Sequence, residues 1–356
     1  MHYSKRIERS AEKRAFIMKK KLLSVVLTAV MAATVLTGCG STDNGTASTT
    51  AGSAAQTEAA ASTDGKVYNI GICQLVEHEA LDAATQGFQD ALKDKLGDNV
   101  KFDLQNAQGE QTTAATICNG FVSDGVDLIL ANATSPLQSA AAATTSIPIL
   151  GTSVTDYATA LEISDWSGAT GRNISGTSDL APIEEQEAML KELFPDVKQV
   201  GLLYCSAEAN SLYQIQLFEV ALDKDGIAYK EYAIADTNEV QSVTTAAAGE
   251  CDVLYIPTDN TLASVTETVY NVVAPAKVPV IAGEEGICNG CGVATLSISY
   301  YDLGYATGEM AYEILAEGAD ITTMDVRYAP NVTKKYNAKI CEELGITVPD
   351  DYVAIQ

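Results

Sequence analysis

The sequence predicts an α/β protein built as two doubly wound, Rossmann-like lobes. Three observations carry this. From Val67 onward, apolar strand-like runs alternate with helical stretches, the pattern of parallel sheets covered on both faces. The same unit is written twice. "VYNIGICQLVEHEALDAATQGFQDAL" matches "VKQVGLLYCSAEANSLYQIQLFEVAL" in kind, and "VDLILANATSPLQSAAAATTSIPIL" matches "CDVLYIPTDNTLASVTETVYNVVAPAKVPVI" more closely. The spacings agree as well: Gly71 to Gly201 is 130 residues, Asp127 to Asp252 is 125, and Pro148 to Pro279 is 131.

The chain opens on a different composition. Residues 1–38 hold eight of the 22 Lys and Arg, with only Glu8 and Glu12 among the acids. Residues 1–38 read as a lipoprotein signal peptide: Met18-Lys19-Lys20-Lys21 gives a positive start and Leu22 to Leu36 is apolar but too short to span a bilayer comfortably, while residues 1–17 fit a leader poorly and leave Met1 and Met18 as alternative starts. Leu36-Thr37-Gly38-Cys39 resembles the lipobox of bacterial lipoproteins, which implies lipidation at Cys39; an ordinary signal peptide with a chance cysteine is the alternative. Residues 40–65 are low-complexity and nearly free of large apolar groups, so 39–65 is expected to be a disordered tether. It would span about 25–30 Å root-mean-square.

The body is acidic. The formal net charge is −25, and the chain after residue 38 keeps 14 basic and 45 acidic side chains. Nucleic acid is excluded as a partner, since its phosphates would be repelled. Hydrophobic residues at 47% and charged residues at 19% support a sizeable core.

Taken in order, the expected strands are Val67–Cys73, Val100–Gln105, Asp127–Ala131 and Pro148–Leu150, then Val200–Cys205, Ala228–Ala233, Asp252–Ile256, Val278–Ala282 and Val293–Ser297. In open α/β sheets ligands bind beyond the carboxyl ends of strands. Two such lobes facing each other therefore make a cleft. Its expected walls are Gln74, Glu77, Asn132, Thr134, Thr152 and Asp156 on one side, and Ser206, Asn210, Ser211, Asp259, Asn260 and Glu285 on the other. Lys and Arg are absent from these loops. Thr134 or Ser135 would cap a helix before Pro136, and Ser206 a helix running through Glu219. Helix N-termini can hold a carboxylate without arginine. Asp259 offers the opposite charge to an ammonium, so the set suits a zwitterion, although each residue alone reads as a cap. Tyr157, Trp166, Tyr204, Tyr300 and Tyr301 are the rings expected near the cleft, against core packing as the alternative.

Catalysis and metal chemistry find little support. His78 lies beside Glu77 and Glu79, but no Gly-x-Ser-x-Gly elbow, Walker loop or Gly-x-Gly-x-x-Gly follows a strand. Cys73 and Cys205 read as small core residues. Cys288 and Cys291 read as a local disulfide or as two free thiols in a loop, without a partner pair for zinc. No cofactor, no metal and no enzymatic activity are expected.

The stretches "IGICQLVEHEALDAATQGFQDAL", "QNAQGEQTTA", "SDLAPIEEQ", "YIPTDNTLAS", "EEG" at Glu284–Gly286 and "YYDLGYATGEMA" resemble ABC-transporter substrate-binding proteins, in particular those associated with tryptophan, tyrosine and phenylalanine uptake, over roughly residues 67–350. The resemblance implies a type I periplasmic-binding-protein fold with a three-crossing hinge. Crossings are expected near Thr177–Leu180, Ser297–Tyr300 and Thr323–Arg327. Lobe 1 would be 66–177 with 300–323, and lobe 2 would be 178–299 with 324–356. The resemblance also implies a monomeric, extracytoplasmic, lipid-anchored receptor that closes on its ligand and docks on a permease with its ATPase. In that frame Asp259 takes the ammonium, Ser206, Asn210 and Ser211 the carboxylate, and Tyr301 closes one side. A sugar or nucleoside receptor, and a sensor lobe without transport, are the alternatives.

Overall fold

The structure, a computed structural model, describes residues 66–329 and 332–355. The leader, the tether and Cys39 lie outside the described residues. The first part of the chain runs β1 (Tyr68–Gln74), α1 (Glu79–Leu96), β2 (Val100–Asn106), α2 (Gln111–Asp124), β3 (Leu128–Asn132), α3 (Thr134–Ala143), β4 (Ile149–Val154), α4 (Tyr157–Ala160) and β5 (Ile174–Ser178). The second follows with α5 (Ile183–Leu193), β6 (Gln199–Cys205), α6 (Ala209–Asp225), β7 (Ala228–Ile234), α7 (Val240–Glu250), β8 (Val253–Ile256), α8 (Asn260–Ala263), α9 (Thr266–Ala276), β9 (Val280–Ala282), α10 (Glu285–Cys291) and β10 (Ala294–Ser297). Then come α11 (Tyr300–Leu315), β11 (Arg327–Tyr328), β12 (Thr333–Tyr336), α12 (Ala338–Leu344) and β13 (Val353–Ala354).

Two sheets result, one per lobe. The first has the order β11-β5-β4-β3-β1-β2 and is parallel throughout; the second has the order β13-β12-β10-β9-β8-β6-β7. Only the β10–β12 joint is antiparallel. From their outer edges both sheets read second, first, third, fourth, fifth strand of their own lobe. The repeat seen in the sequence is thus a repeat of topology. Burial on both faces explains why the strands are apolar runs with no alternation: β3, β4 and β8 are buried at every position.

Each lobe carries its own core. In the second, the rings of Phe218 and Tyr255 stack at 3.7 Å between α6 and β8. In the first, α1 and α11 cover one face with Phe88, Leu92, Met310 and Ala311 over β1 and β3. The two helices cross closely because glycines sit at the contact. A Cβ on Gly304 would stand 1.9 Å from the Ala84 carbonyl oxygen.

Four strands escape the apolar-run pattern. β5 is Ile-Ser-Gly-Thr-Ser, β11 and β12 are short and largely polar, and β13 is only the pair Val353-Ala354. The third crossing also lies later than expected. β11 pairs with β5, Arg327 forms an ion pair with Glu313 of α11, and Ser175 donates to the Met324 carbonyl. Residues 324–328 therefore stay with the first sheet, and by Thr333 the chain belongs to the second. Cys288 and Cys291 sit buried as free thiols on α10, not in a loop.

Gly304→Ala forces the α1–α11 pair apart. It should destabilise the protein by about 3 kcal/mol in urea denaturation.

Candidate functional site

The two sheets turn their strand ends toward one another. In this strand order, connections diverge between the first and third strands of each lobe, and that divergence opens a crevice. A cleft of about 490 Å³ lies there, between β1 and β3 of the first lobe and β6 and β8 of the second. The first lobe contributes Leu75, Val76, Thr134, Ser135, Gln138 and the loop Gln108–Gln111; the second contributes Cys205, residues 207–210, residues 235–237, Asn260, Thr261 and Ser264.

Of the residues expected from sequence to line the cleft, Thr134, Asn210 and Asn260 do so. The rest are placed elsewhere, each for a physical reason. Gln74 and Asn132 tie the strand ends to α1: Gln74 donates to Asp82 and accepts from Thr85, and Asn132 donates to Thr85 and to the Leu81 carbonyl. Thr152 bonds Thr177, which bonds Thr307, all within the first lobe. Asp156 caps α4 through Thr159 N–H and borders a narrow crevice with Thr134, Asn210 and Tyr213. Ser206 is exposed and donates to the Ile234 carbonyl; Glu208, not Ser206, stands before α6. Likewise Ala133 precedes α3, so Thr134 and Ser135 are inside its first turn. Glu285 pairs with Lys335. Glu77 borders a separate hollow of about 260 Å³ with His78, Glu79 and Glu284. Tyr301 is exposed on α11 and donates to Asp90.

Asp259 is the main correction. It is 1% exposed and caps α8. One oxygen accepts from Leu262 N–H at 2.9 Å; the other accepts from Cys205 N–H at 2.6 Å and from the Ser211 hydroxyl at 2.8 Å. It joins the ends of β6 and β8 and leaves little for an ammonium. Burial, followed by the nearby Glu208 charge, pushes its carboxyl up to about 8, against the pull of these three donors.

Glu208 is one of three acids in the cleft lining, with Glu110 and Asp236. It accepts from Asn210 and from the backbone and side chains of Asn260 and Thr261. The amide nitrogen of Asn260 is thereby fixed on Glu208, and its Oδ1 meets His78 Nε2 of the other lobe at 3.2 Å. Burial pushes the His78 imidazole below its usual pKa. Asn289 to Glu79 at 3.2 Å, and Gln214 to Thr155 at 3.5 Å, also span the lobes. None of the rings expected at the cleft lines it: Tyr157, Tyr204 and Tyr300 are buried with hydroxyls on Thr177, Glu231 and Asp179, and Trp166 packs on the first core.

Glu110, Gln111, Asp236 and Thr237 were missed, yet the same strand-end rule applied to β2 and β7 finds them. The backbone carries one further signal: the cleft-lining Gln108 holds positive φ (56°), as do Ala133 and Ser153 (101° and 54°) at the ends of β3 and β4. Such strain gathers at functional sites.

Asp259→Ala removes a cap and leaves the Cys205 N–H and the Ser211 hydroxyl without their acceptor. It should cost about 3 kcal/mol in urea denaturation.

Residues 69–355 match the family model described as ABC transporter substrate binding protein. A tyrosine-binding protein of Clostridioides difficile (strain R20291) is 39% identical over 317 residues, 87% of this chain and 89% of that one. Among solved structures, an ABC domain from Streptococcus pneumonia in complex with L-Trp is 34% identical with a TM-score of 0.77, over 80% of this chain and 97% of that one. The ligand-free, open structure of a substrate binding protein with adhesive properties from Clostridium difficile is 37% identical with a TM-score of 0.63, over 82% and 99%. The better overlap with the L-Trp complex, at lower identity, accords with lobes that touch across the cleft.

Proposed function

The chain belongs to the ABC transporter substrate-binding proteins, and on that premise we propose that its ligand is an aromatic amino acid held in the interlobe cleft. The observation that carries this reading is the cleft itself, set at the divergence points of both sheets and lined by both lobes. Its 490 Å³ suits a small molecule. Its charged lining groups are Glu110, Glu208 and Asp236, and no Lys or Arg is among them, so a ligand carrying a cation is favoured. The first turn of α3 borders the cleft and suits the carboxylate of the same ligand, whereas α6 already has the Glu208 carboxylate before its first turn. With no ring in the lining, the ligand's aromatic group would lie against Leu75, Val76, Ala207 and Ala209. The similar proteins named for tyrosine and bound to L-Trp support the same choice.

Substrate-binding proteins of ABC transporters work outside the cytoplasm, and in this reading the closed lobes dock on a permease coupled to an ATPase. Cys39 is the proposed lipid anchor. Cys39→Ala should release the protein from the membrane fraction, as immunoblotting of fractionated cells will show; retention on the membrane would remove the anchor.

A thermal-shift panel of the twenty amino acids tests the ligand. Tyrosine, tryptophan or phenylalanine at about 100 times its Kd should stabilise the protein by about 2.7 kcal/mol. No shift with any of the three would contradict the reading.

A further inference from the structure

We propose that Asp179, at the first crossing between the lobes, receives the ammonium of the bound α-amino acid. This rests on the amino-acid reading above. Asp179 directly follows β5 and is 3% exposed. Its Oδ2 accepts from the Tyr300 hydroxyl at 3.0 Å, which ties the first crossing to the second. Its Oδ1 has no hydrogen-bond partner. The groups that act on it are hydroxyls and its own backbone, not cations. A buried carboxylate in that state is costly, and its free oxygen calls for a partner.

The neighbouring strand ends hold two more such atoms. Ser135 Oγ, beyond β3 and in the cleft wall, and Ser153 Oγ, at the end of β4, are buried without partners. The three strands are adjacent in the order β5-β4-β3, about 4.8 Å apart. Three successive strand ends therefore hold a spare carboxylate oxygen and two spare hydroxyls. Their chemistry complements an α-amino acid, with the carboxylate for its ammonium and the hydroxyls for its carboxylate.

A chain of side chains leads from the cleft wall toward Asp179. Asn210 lines the cleft, and Gln214 is one helical turn along α6. Gln214 bonds both the N–H and the carbonyl of Thr258 and reaches Thr155 of the other lobe at 3.5 Å. The Thr155 hydroxyl in turn acts on the Asp179 carboxyl. The long Gln214–Thr155 contact is the one a bound ligand would supplant.

Burial pushes the Asp179 carboxyl up to about 6, with the Tyr300 and Thr155 hydroxyls pulling it down. The ionisable groups facing it are Tyr300 of α11 and Tyr157 of α4, both raised by burial, with Glu284 on the side of Tyr300. Above pH 6 the carboxyl is ionised and attracts an ammonium; below pH 6 it is protonated and the attraction is lost.

Calorimetry with L-tyrosine and with 3-(4-hydroxyphenyl)propanoate, which lacks the amino group, tests this on the wild type and on Asp179→Asn. The variant should bind tyrosine on the order of 100-fold more weakly and the deaminated acid within about threefold of wild type. Equal tyrosine affinity in the two proteins, or equal loss of both ligands, would overturn the proposal. If the variant does not fold, the wild type decides: tyrosine affinity should fall as pH drops from 7.5 to 5 while that of the deaminated acid does not, and a flat tyrosine profile overturns the proposal. If the wild type ignores tyrosine, the same comparison is made with whichever of tryptophan and phenylalanine it binds and that ligand's deaminated acid; a wild type that ignores all three at every pH contradicts the aromatic reading instead, a separate result.

Discussion

A parallel strand must hand its chain to a crossover, and every crossover leaves from the same edge of the sheet. That constraint organises this molecule. In each lobe, backbone turns, helix N-termini and short polar side chains collect at the carboxyl edge, while the apolar residues fill both faces. The two lobes share one strand order, so the divergence point of each sheet is equivalent to that of the other. Setting those points face to face encloses a polar hollow without any residue having to enter the core.

The lobes are held together by few bonds across the gap. His78 to Asn260, Asn289 to Glu79 and Gln214 to Thr155 are hydrogen bonds between side chains, and the last is at the limit of reach. The crossings are tied more firmly: Tyr300 to Asp179 joins the first to the second inside the protein. Firm crossings and weak rims are the layout of a hinge whose closed state needs a guest to complete it.

Much of this was legible in the sequence. The two α/β lobes followed from apolar runs and matched spacings, because strands buried on both faces write themselves as Val, Ile and Leu. The strands β5, β11, β12 and β13 did not, since a Ser-Gly-Thr strand, the polar β11 and β12 and a two-residue β13 are too polar or too short to carry an apolar run. The position of the cleft was legible from strand ends, and so were Thr134, Asn210 and Asn260. The direction in which a side chain turns was not. "PTDN" offers an aspartate at a strand end, and sequence alone does not tell that Cys205 N–H and the Ser211 hydroxyl, both remote in sequence, claim Asp259 first. Glu208 shows the converse: its carboxylate faces the cleft and organises Asn260 and Thr261, contacts that depend on residues remote in sequence.

The claim beneath all of this is that two lobes grip a single solute between their facing strand ends. Small-angle X-ray scattering of the protein with and without L-tyrosine tests it most directly. The account predicts that the radius of gyration falls on adding ligand, as an open population closes. A radius that stays the same at saturating ligand, with an unliganded curve that fits only the open form, would contradict it.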